Sequence, residues 1–67
     1  MKITLKAARV NAGYSQESLA KQIGVSKSTV SRWEVGVLPI PNEKLLEICE
    51  ICGLEKESII IQERKRD

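Results

Sequence analysis

The chain has no histidine and only two aromatic residues, one tyrosine and one tryptophan, among its 67 residues. Without histidine it lacks the most common general base and a frequent zinc ligand. It also has no glycine-rich phosphate loop and no G-x-S-x-G motif, and its nine acidic residues are spread in a pattern typical of solvated surfaces. We therefore expect no catalytic site, no metal ion and no cofactor, so that the protein is not an enzyme.

Long apolar stretches are missing as well. No apolar run approaches the length of a membrane span, and no charged segment followed by an apolar core marks a signal peptide. An apolar share of 42% with 30% charged residues is ordinary for a folded protein and too apolar for a disordered one. We expect a single cytoplasmic domain over residues 1–67 without a membrane partner, in which residues 63–67 form a frayed charged tail.

Only two cysteines are present, Cys49 and Cys52, in the C-x-x-C spacing of zinc sites and thiol-redox centres. A zinc site needs further ligands, which the chain does not offer. Reactive thiols gain from a helix N-terminus, whereas these lie towards a helix C-terminus beside Glu50. Both fall on an apolar stripe, so we interpret them as core residues and keep a metal or redox role as the minor alternative.

Two short amphipathic helices meet at a glycine in the first half of the chain. Leu19, Ala20 and Ile23 recur at helical spacing, and Ser15 is a suitable N-cap for the helix that carries them. Gly24 follows the last periodic residue, where a helix end often requires the left-handed conformation. The pattern predicts a helix that ends sharply and turns at this glycine.

The second of these helices has a short, basic, hydroxyl-rich face. Ser26 is its predicted N-cap, and Val30 and Trp33 fall on its apolar side. The opposite, polar side holds Lys27, Ser28, Ser31 and Arg32. Two helices joined in this way are typical of a unit that binds DNA, and we expect this function here. Trp33 and Tyr14 could be read as stacking platforms for single-stranded nucleic acid, but their positions favour packing in the core.

Charge is divided unevenly along the sequence. Residues 1–33 contain six basic residues and one glutamate, which leaves +5, whereas residues 34–63 contain two lysines and seven glutamates, which leaves −5. Residues 64–67 add three basic residues and one aspartate. The basic half is therefore the half with the two joined helices, as expected for a surface that meets phosphates. The alternative is that these are ordinary solvated lysines.

Signals in the rest of the chain predict three further helices. The first runs from a Thr4 cap to about Asn11 and is closed by a glycine. After a loop from Val35 to Pro41, Asn42 is the predicted cap of a fourth helix that ends at another glycine. A fifth helix is predicted over Lys56–Ile61, although its three consecutive isoleucines could equally extend as a strand or pair with another subunit.

The joined helices resemble the helix-turn-helix domain of Cro and phage repressors, the XRE type. The resemblance is carried by Leu19-Ala20, Ile23-Gly24-Val25-Ser26, Val30, Ser31-Arg32-Trp33-Glu34 and Gly36. It extends to Leu5–Gly13 as the family's first helix and to Asn42–Ile60 as its fourth and fifth. It implies an all-α, compact five-helix bundle with the helix-turn-helix at helices 2 and 3.

The resemblance also implies a function, sequence-specific binding of double-stranded DNA by a small phage or bacterial transcriptional regulator, repressor-like in kind. The recognition helix, about residues 27–34, would enter the major groove. Base contacts are then expected from Lys27, Ser28, Ser31 and Arg32. Backbone contacts are expected from Gln16, Lys21 and Thr29, of which the glutamine would also brace the recognition helix.

Arg9 and Glu34 are expected to have a structural role, and the alternative is that Arg9 contacts phosphate. Both lie near the apolar faces of their helices, where an unpaired charge is costly. In the resembled family the corresponding arginine and glutamate form an internal ion pair, and these two residues match its positions.

The loop after Glu34 departs from the family pattern because it lacks the usual basic residues. Affinity per subunit should then be modest, so we expect a homodimer on a palindromic operator with half-sites about 34 Å apart. The candidate dimer interface comprises Leu46, Ile51 and Ile59–Ile61. Val37, Leu38 and Ile40 either contact a second protein or cap the core. The alternative function is an antitoxin-like interaction module whose C-terminal segment, residues 59–67, folds on a partner.

Overall fold

The computed structural model describes residues 2–61, which form four α-helices and a small sheet. The elements in chain order are β1 (Ile3–Thr4), α1 (Leu5–Asn11), α2 (Gln16–Ile23), α3 (Lys27–Val35), α4 (Asn42–Cys52), a 3₁₀ helix (Lys56–Ser58) and β2 (Ile59–Ile60). The predicted tail at residues 63–67 lies outside the described residues. Among residues 2–61, no helix is long and apolar enough to cross a bilayer.

The first three helices begin at the caps that the sequence predicts. The side chains of Thr4, Ser15 and Ser26 each accept a hydrogen bond from the backbone N–H three residues later, over 3.1, 3.0 and 3.2 Å. Each cap thus satisfies one of the N–H groups that a helix leaves without an internal partner. The three predicted helix starts are confirmed. They could be predicted because each depends on a local hydrogen bond to the capping side chain.

The turn between α2 and α3 is built around Gly24, as predicted. Its φ of 75° lies in the left-handed region, and the backbone N–H groups of Gly24 and Val25 both donate to the carbonyl of Ala20. α3 then runs one residue further than predicted, to Val35, and ends at another left-handed glycine, Gly36. The two helices therefore meet at a short turn with a fixed backbone conformation.

The predicted cap of α4 is wrong by one position. Asn42 is the first residue of this helix, and Pro41 precedes it as the N-cap without any side-chain hydrogen bond. The carbonyl of Pro41 accepts the first helical hydrogen bond, from the N–H of Leu45 over 2.9 Å. The helix needs no side-chain cap to prevent it from extending further upstream. Pro41 already has this effect, because a proline disfavours the helical conformation in the residue before it.

The predicted fifth helix is wrong, and so is the five-helix count. Residues Lys56–Ser58 form one 3₁₀ turn, and Ile59–Ile60 form the strand β2, which pairs in parallel with β1 so that Ile3 lies opposite Ile59. β-Branched isoleucines favour the extended conformation, and the strand buries Ile59 in the core. The strand alternative is therefore the one that occurs, with its partner strand inside the same chain.

The core lies between all four helices and β2. Leu19, Val30 and Ile48, one each from α2, α3 and α4, have no exposed side-chain surface. The other buried apolar residues are Leu5, Ala8, Ala20, Ile23, Trp33, Leu45, Cys49 and Ile59. Because α2 packs chiefly on α3, the two helices present one common outer surface.

Candidate nucleic-acid interface

One face of α3 is polar and open to solvent. Lys27, Ser28 and Arg32 are exposed, and Ser31 is half-buried between them. The other face carries Val30, Trp33 and Glu34, all of them buried. The four predicted base-contacting residues therefore share one side of α3, which is the side that the core does not use.

Three hydroxyl groups cluster at the N-terminus of α3. The Oγ of Ser26 lies 3.1 Å from the Oγ of Ser28 and 2.9 Å from the Oγ1 of Thr29. These hydrogen bonds hold the three hydroxyl groups together next to the start of α3. They also place hydroxyl groups at the positive end of the helix dipole, where phosphate oxygens are favourable partners.

The structure brings Arg9 and Glu34 together in a buried ion pair. The Nε of Arg9 donates to the Oε2 of Glu34 over 2.6 Å, and its Nη2 donates to Oε1 over 3.4 Å. Arg9 also donates through Nη1 to the carbonyl of Tyr14 over 2.8 Å. One guanidinium thus links α1, the segment before α2 and the C-terminal half of α3.

Gln16 joins the same network from the start of α2. Its Nε2 donates to the Oε1 of Glu34 over 3.0 Å, and the residue is half-buried. The side chain expected to touch DNA backbone is therefore held by the glutamate that also holds Arg9. Lys21, the other backbone-contact candidate on α2, is exposed.

Burial changes the charge that each half shows to solvent. Because Arg9 and Glu34 neutralise each other inside the protein, neither contributes to the surface. In the first half the exposed charges are Lys2, Lys6, Lys21, Lys27 and Arg32 against Glu17. In α4 and beyond, as far as residue 61, the exposed charges are Glu43, Glu47, Glu50, Glu55 and Glu57 against Lys56. The uneven division of charge therefore persists at the surface.

Both cysteines lie on the inner side of α4 and are free thiols. Cys49 is buried, and Cys52 is partly buried against the core. Burial raises the pKa of both thiols, with the charge of Glu57 adding to the effect at Cys49. Among residues 2–61, no three potential metal ligands come together. The environment therefore favours the protonated thiol, in keeping with core packing.

Thiol alkylation tests this environment. Because the thiolate is the reacting form and both pKa values are raised from 9.0, we expect slow reaction with iodoacetamide at pH 7 and a steep rise only above pH 9. Cys52 should react before the buried Cys49. Mass spectrometry of the native protein, with the urea-unfolded protein as control, measures both rates. Equal rates in the native and unfolded protein at pH 8 would contradict the assignment.

The apolar candidates for protein contact divide into buried and exposed residues. Ile59 is a core residue and Ile51 packs partly against the core, so neither offers the free surface expected of it. Leu46, Ile60 and Ile61 are exposed. In the loop after α3, the exposed candidates are Val37 and Leu38, whereas Ile40 packs against the core.

Two contacts near this surface were not predicted from the sequence. Ser18 completes a capping box at α2, since its Oγ accepts from the backbone N–H of Ser15 over 2.9 Å. The spacing of two serines three residues apart could have indicated it. Lys44 of α4 reaches the carbonyl of Ile23 at the end of α2, a contact between distant residues for which the sequence has no signal.

Comparison with known proteins gives a family match and a relative that each cover most of the chain. A family model described as helix-turn-helix matches residues 5–59. The chain is also 37% identical over 60 residues to YgzD of Bacillus subtilis strain 168, an uncharacterized HTH-type transcriptional regulator. That alignment covers 88% of this chain and 89% of the relative. No solved structure gives a significant match.

Proposed function

Because the chain belongs to the helix-turn-helix family, as its sequence had indicated, we propose that it is a DNA-binding transcriptional regulator that recognises a specific duplex sequence. The observation that carries this proposal is the face of α3. It is polar, basic and exposed, while the opposite face of the same helix is fixed in the core. A helix held in this way can enter the major groove without losing its own packing.

Each candidate residue has a role suited to its chemistry. Arg32 and Lys27 donate to the O6 and N7 atoms of guanine, and Ser28 and Ser31 donate to or accept from base edges. Gln16, Lys21 and Thr29 contact the phosphates on either side of the groove, and Gln16 is oriented for this by Glu34. The base contacts choose the sequence, and the phosphate contacts fix the register.

Selection of bound fragments from a random duplex pool tests the proposal. We expect a short consensus and a steep fall of affinity between two salt concentrations, since phosphate contacts release counterions. The control is the same selection with Lys27→Ala/Arg32→Ala, which should yield no consensus. Recovery of unrelated sequences by the wild-type protein would refute sequence-specific binding.

We further propose that the protein binds a palindromic operator as a homodimer, with Leu46, Ile60 and Ile61 in the interface. These three residues are 49%, 41% and 44% exposed, so each leaves apolar surface in contact with water. Contact with a second copy would remove them from water. It would also bring a second set of phosphate contacts to the same DNA, which offsets the lack of basic residues in the loop after α3.

Sedimentation velocity with and without operator DNA measures this assembly. We expect two copies per palindrome, and Leu46→Asp should reduce the complex to one copy because a carboxylate in an apolar contact is costly. Asn42→Asp, which also adds one negative charge at an exposed position of α4, serves as the control. A wild-type protein that stays monomeric on DNA at high concentration contradicts the homodimer.

A second candidate function is an antitoxin-like interaction module with the same fold. The exposed Val37 and Leu38 in the loop after α3 favour it, since this loop offers apolar surface where phosphate contacts are expected. Coexpression with the product of an adjacent gene distinguishes the two functions. A stable complex that Val37→Asp/Leu38→Asp abolishes, while DNA binding is kept, would support the interaction module.

A further inference from the structure

Lys44 makes a direct contact with the turn between α2 and α3. Its Nζ donates to the carbonyl oxygen of Ile23 over 2.8 Å and lies 3.1 Å from the Oε2 of Glu47. Only 27% of the lysine side chain is exposed, so the ammonium group is held against the protein. α4 thus reaches the pair of joined helices through a polar contact as well as through the core.

The accepting carbonyl lies at a sensitive point of the fold. Ile23 is the last residue of α2, and the last carbonyls of a helix have no hydrogen-bond donor within the helix. Because α2 ends at Ile23 and the chain turns at the left-handed Gly24, no further N–H of α2 reaches this carbonyl, and it accepts from a donor outside the helix. A lysine ammonium is a favourable donor there, because the C-terminal end of a helix carries partial negative charge.

This contact differs in kind from the packing around it. Ile23 and Leu45 are buried in the core, where apolar contact attracts without fixing a direction. A hydrogen bond from a charged group has a preferred distance and angle, so it restricts how far the backbone at Ile23 can shift along α4. Lys27, the first residue of α3, follows only four positions later.

We propose that Lys44 is a positioning residue for DNA recognition. It sets the position and orientation of the N-terminus of α3 in the groove without contacting DNA itself. The proposal rests on the proposed function, since it assumes that α3 reads bases. Base contacts need side chains held to within about 0.5 Å, whereas non-specific binding comes from the electrostatic attraction to phosphates, which does not depend on the sequence. Loosening the turn should therefore weaken specific binding more than non-specific binding.

Three variants test the proposal with the full chain. Lys44→Met keeps most of the aliphatic stem and removes the donor. Lys44→Arg keeps a charged donor, and Glu47→Gln removes the exposed carboxylate while leaving the contact to Ile23 intact. The measurements are affinity for the selected operator, affinity for unrelated duplex DNA, the salt dependence of binding, and amide hydrogen exchange at Val25, all at a temperature where every variant is folded.

For Lys44→Met we expect about a fivefold loss of affinity for the operator, the size typical of residues that act through others. Affinity for unrelated DNA and the salt slope should stay unchanged, and the Val25 amide should exchange faster while amides of α1 do not. Lys44→Arg should restore operator affinity to within about twofold, and Glu47→Gln should match the wild type.

Two outcomes would overturn the proposal. Operator affinity equal to that of the wild type in Lys44→Met would show that the contact does not position α3. A salt slope lowered by about one, with equal losses on all sequences, would show that Lys44 is a phosphate contact instead. Failure of the wild-type protein to select any sequence would refute the proposed function itself, and the Lys44 variants are compared only on a sequence that the wild type selects.

Discussion

Replacing Glu34 by alanine is expected to lower the free energy of unfolding by about 3–5 kcal/mol, the usual cost of breaking a buried ion pair. The substitution leaves the Arg9 guanidinium buried with one remaining acceptor among residues 2–61, the carbonyl of Tyr14, and it also removes the acceptor of Gln16. Native proteins of this size have little stability to spare, so a large part of the population should unfold. Urea denaturation followed by circular dichroism measures the loss.

A double variant distinguishes the loss of the ion pair itself from the cost of leaving one charge unpaired. Arg9→Met/Glu34→Met should be more stable than Arg9→Met alone or Glu34→Met alone, because the double variant leaves no unpaired charge in the interior. The matched control is Glu47→Ala, which removes a glutamate whose side chain is 45% exposed and should cost less than about 1 kcal/mol. A Glu34→Ala protein as stable as the wild type would rule out the structural role of the pair.

Local chemistry explains which parts of the fold could be predicted from the sequence. The starts of α1, α2 and α3 were predictable because Thr4, Ser15 and Ser26 bind backbone groups only three residues away. The turn at Gly24 was predictable for the same reason, since one residue type adopts its backbone conformation freely.

The C-terminal part could not be settled in this way. Three consecutive isoleucines fit a buried helix turn and a strand equally well, and only the distant pairing of Ile59 with Ile3 decides between them. The burial of Ile59 follows from that pairing, so its assignment to an exposed interface failed with the helix. Short segments of this kind take their structure from tertiary contacts.

In the candidate site, too, the features set by local sequence were predictable and those set by tertiary contacts were not. Helical periodicity was enough to place Lys27, Ser28, Ser31 and Arg32 on one side of α3. The link from Gln16 to Glu34 joins residues 18 positions apart, and the link from Lys44 to Ile23 joins residues 21 apart. Periodicity carries no information on such links, because they depend on how whole helices pack.

Replacing Arg32 by alanine is expected to reduce affinity for the selected operator by about 5- to 150-fold, the equivalent of about 1–3 kcal/mol for one base contact. The residue is exposed on the polar face of α3 and makes no contact that the core requires, so the variant should fold normally. Because a guanidinium can form two hydrogen bonds to one guanine, specificity should relax at a single position of each half-site.

The pattern of losses over different sequences identifies the type of contact. A base contact weakens binding to the operator and leaves binding to a sequence changed at that one position almost unaltered, whereas a phosphate contact weakens both equally and lowers the salt slope by about one. Lys56→Ala is the matched control, since it removes an exposed positive charge from the acidic half of the chain. If Arg32→Ala binds all sequences as well as the wild type does, α3 does not enter the groove with this face. The polar face would then require another ligand.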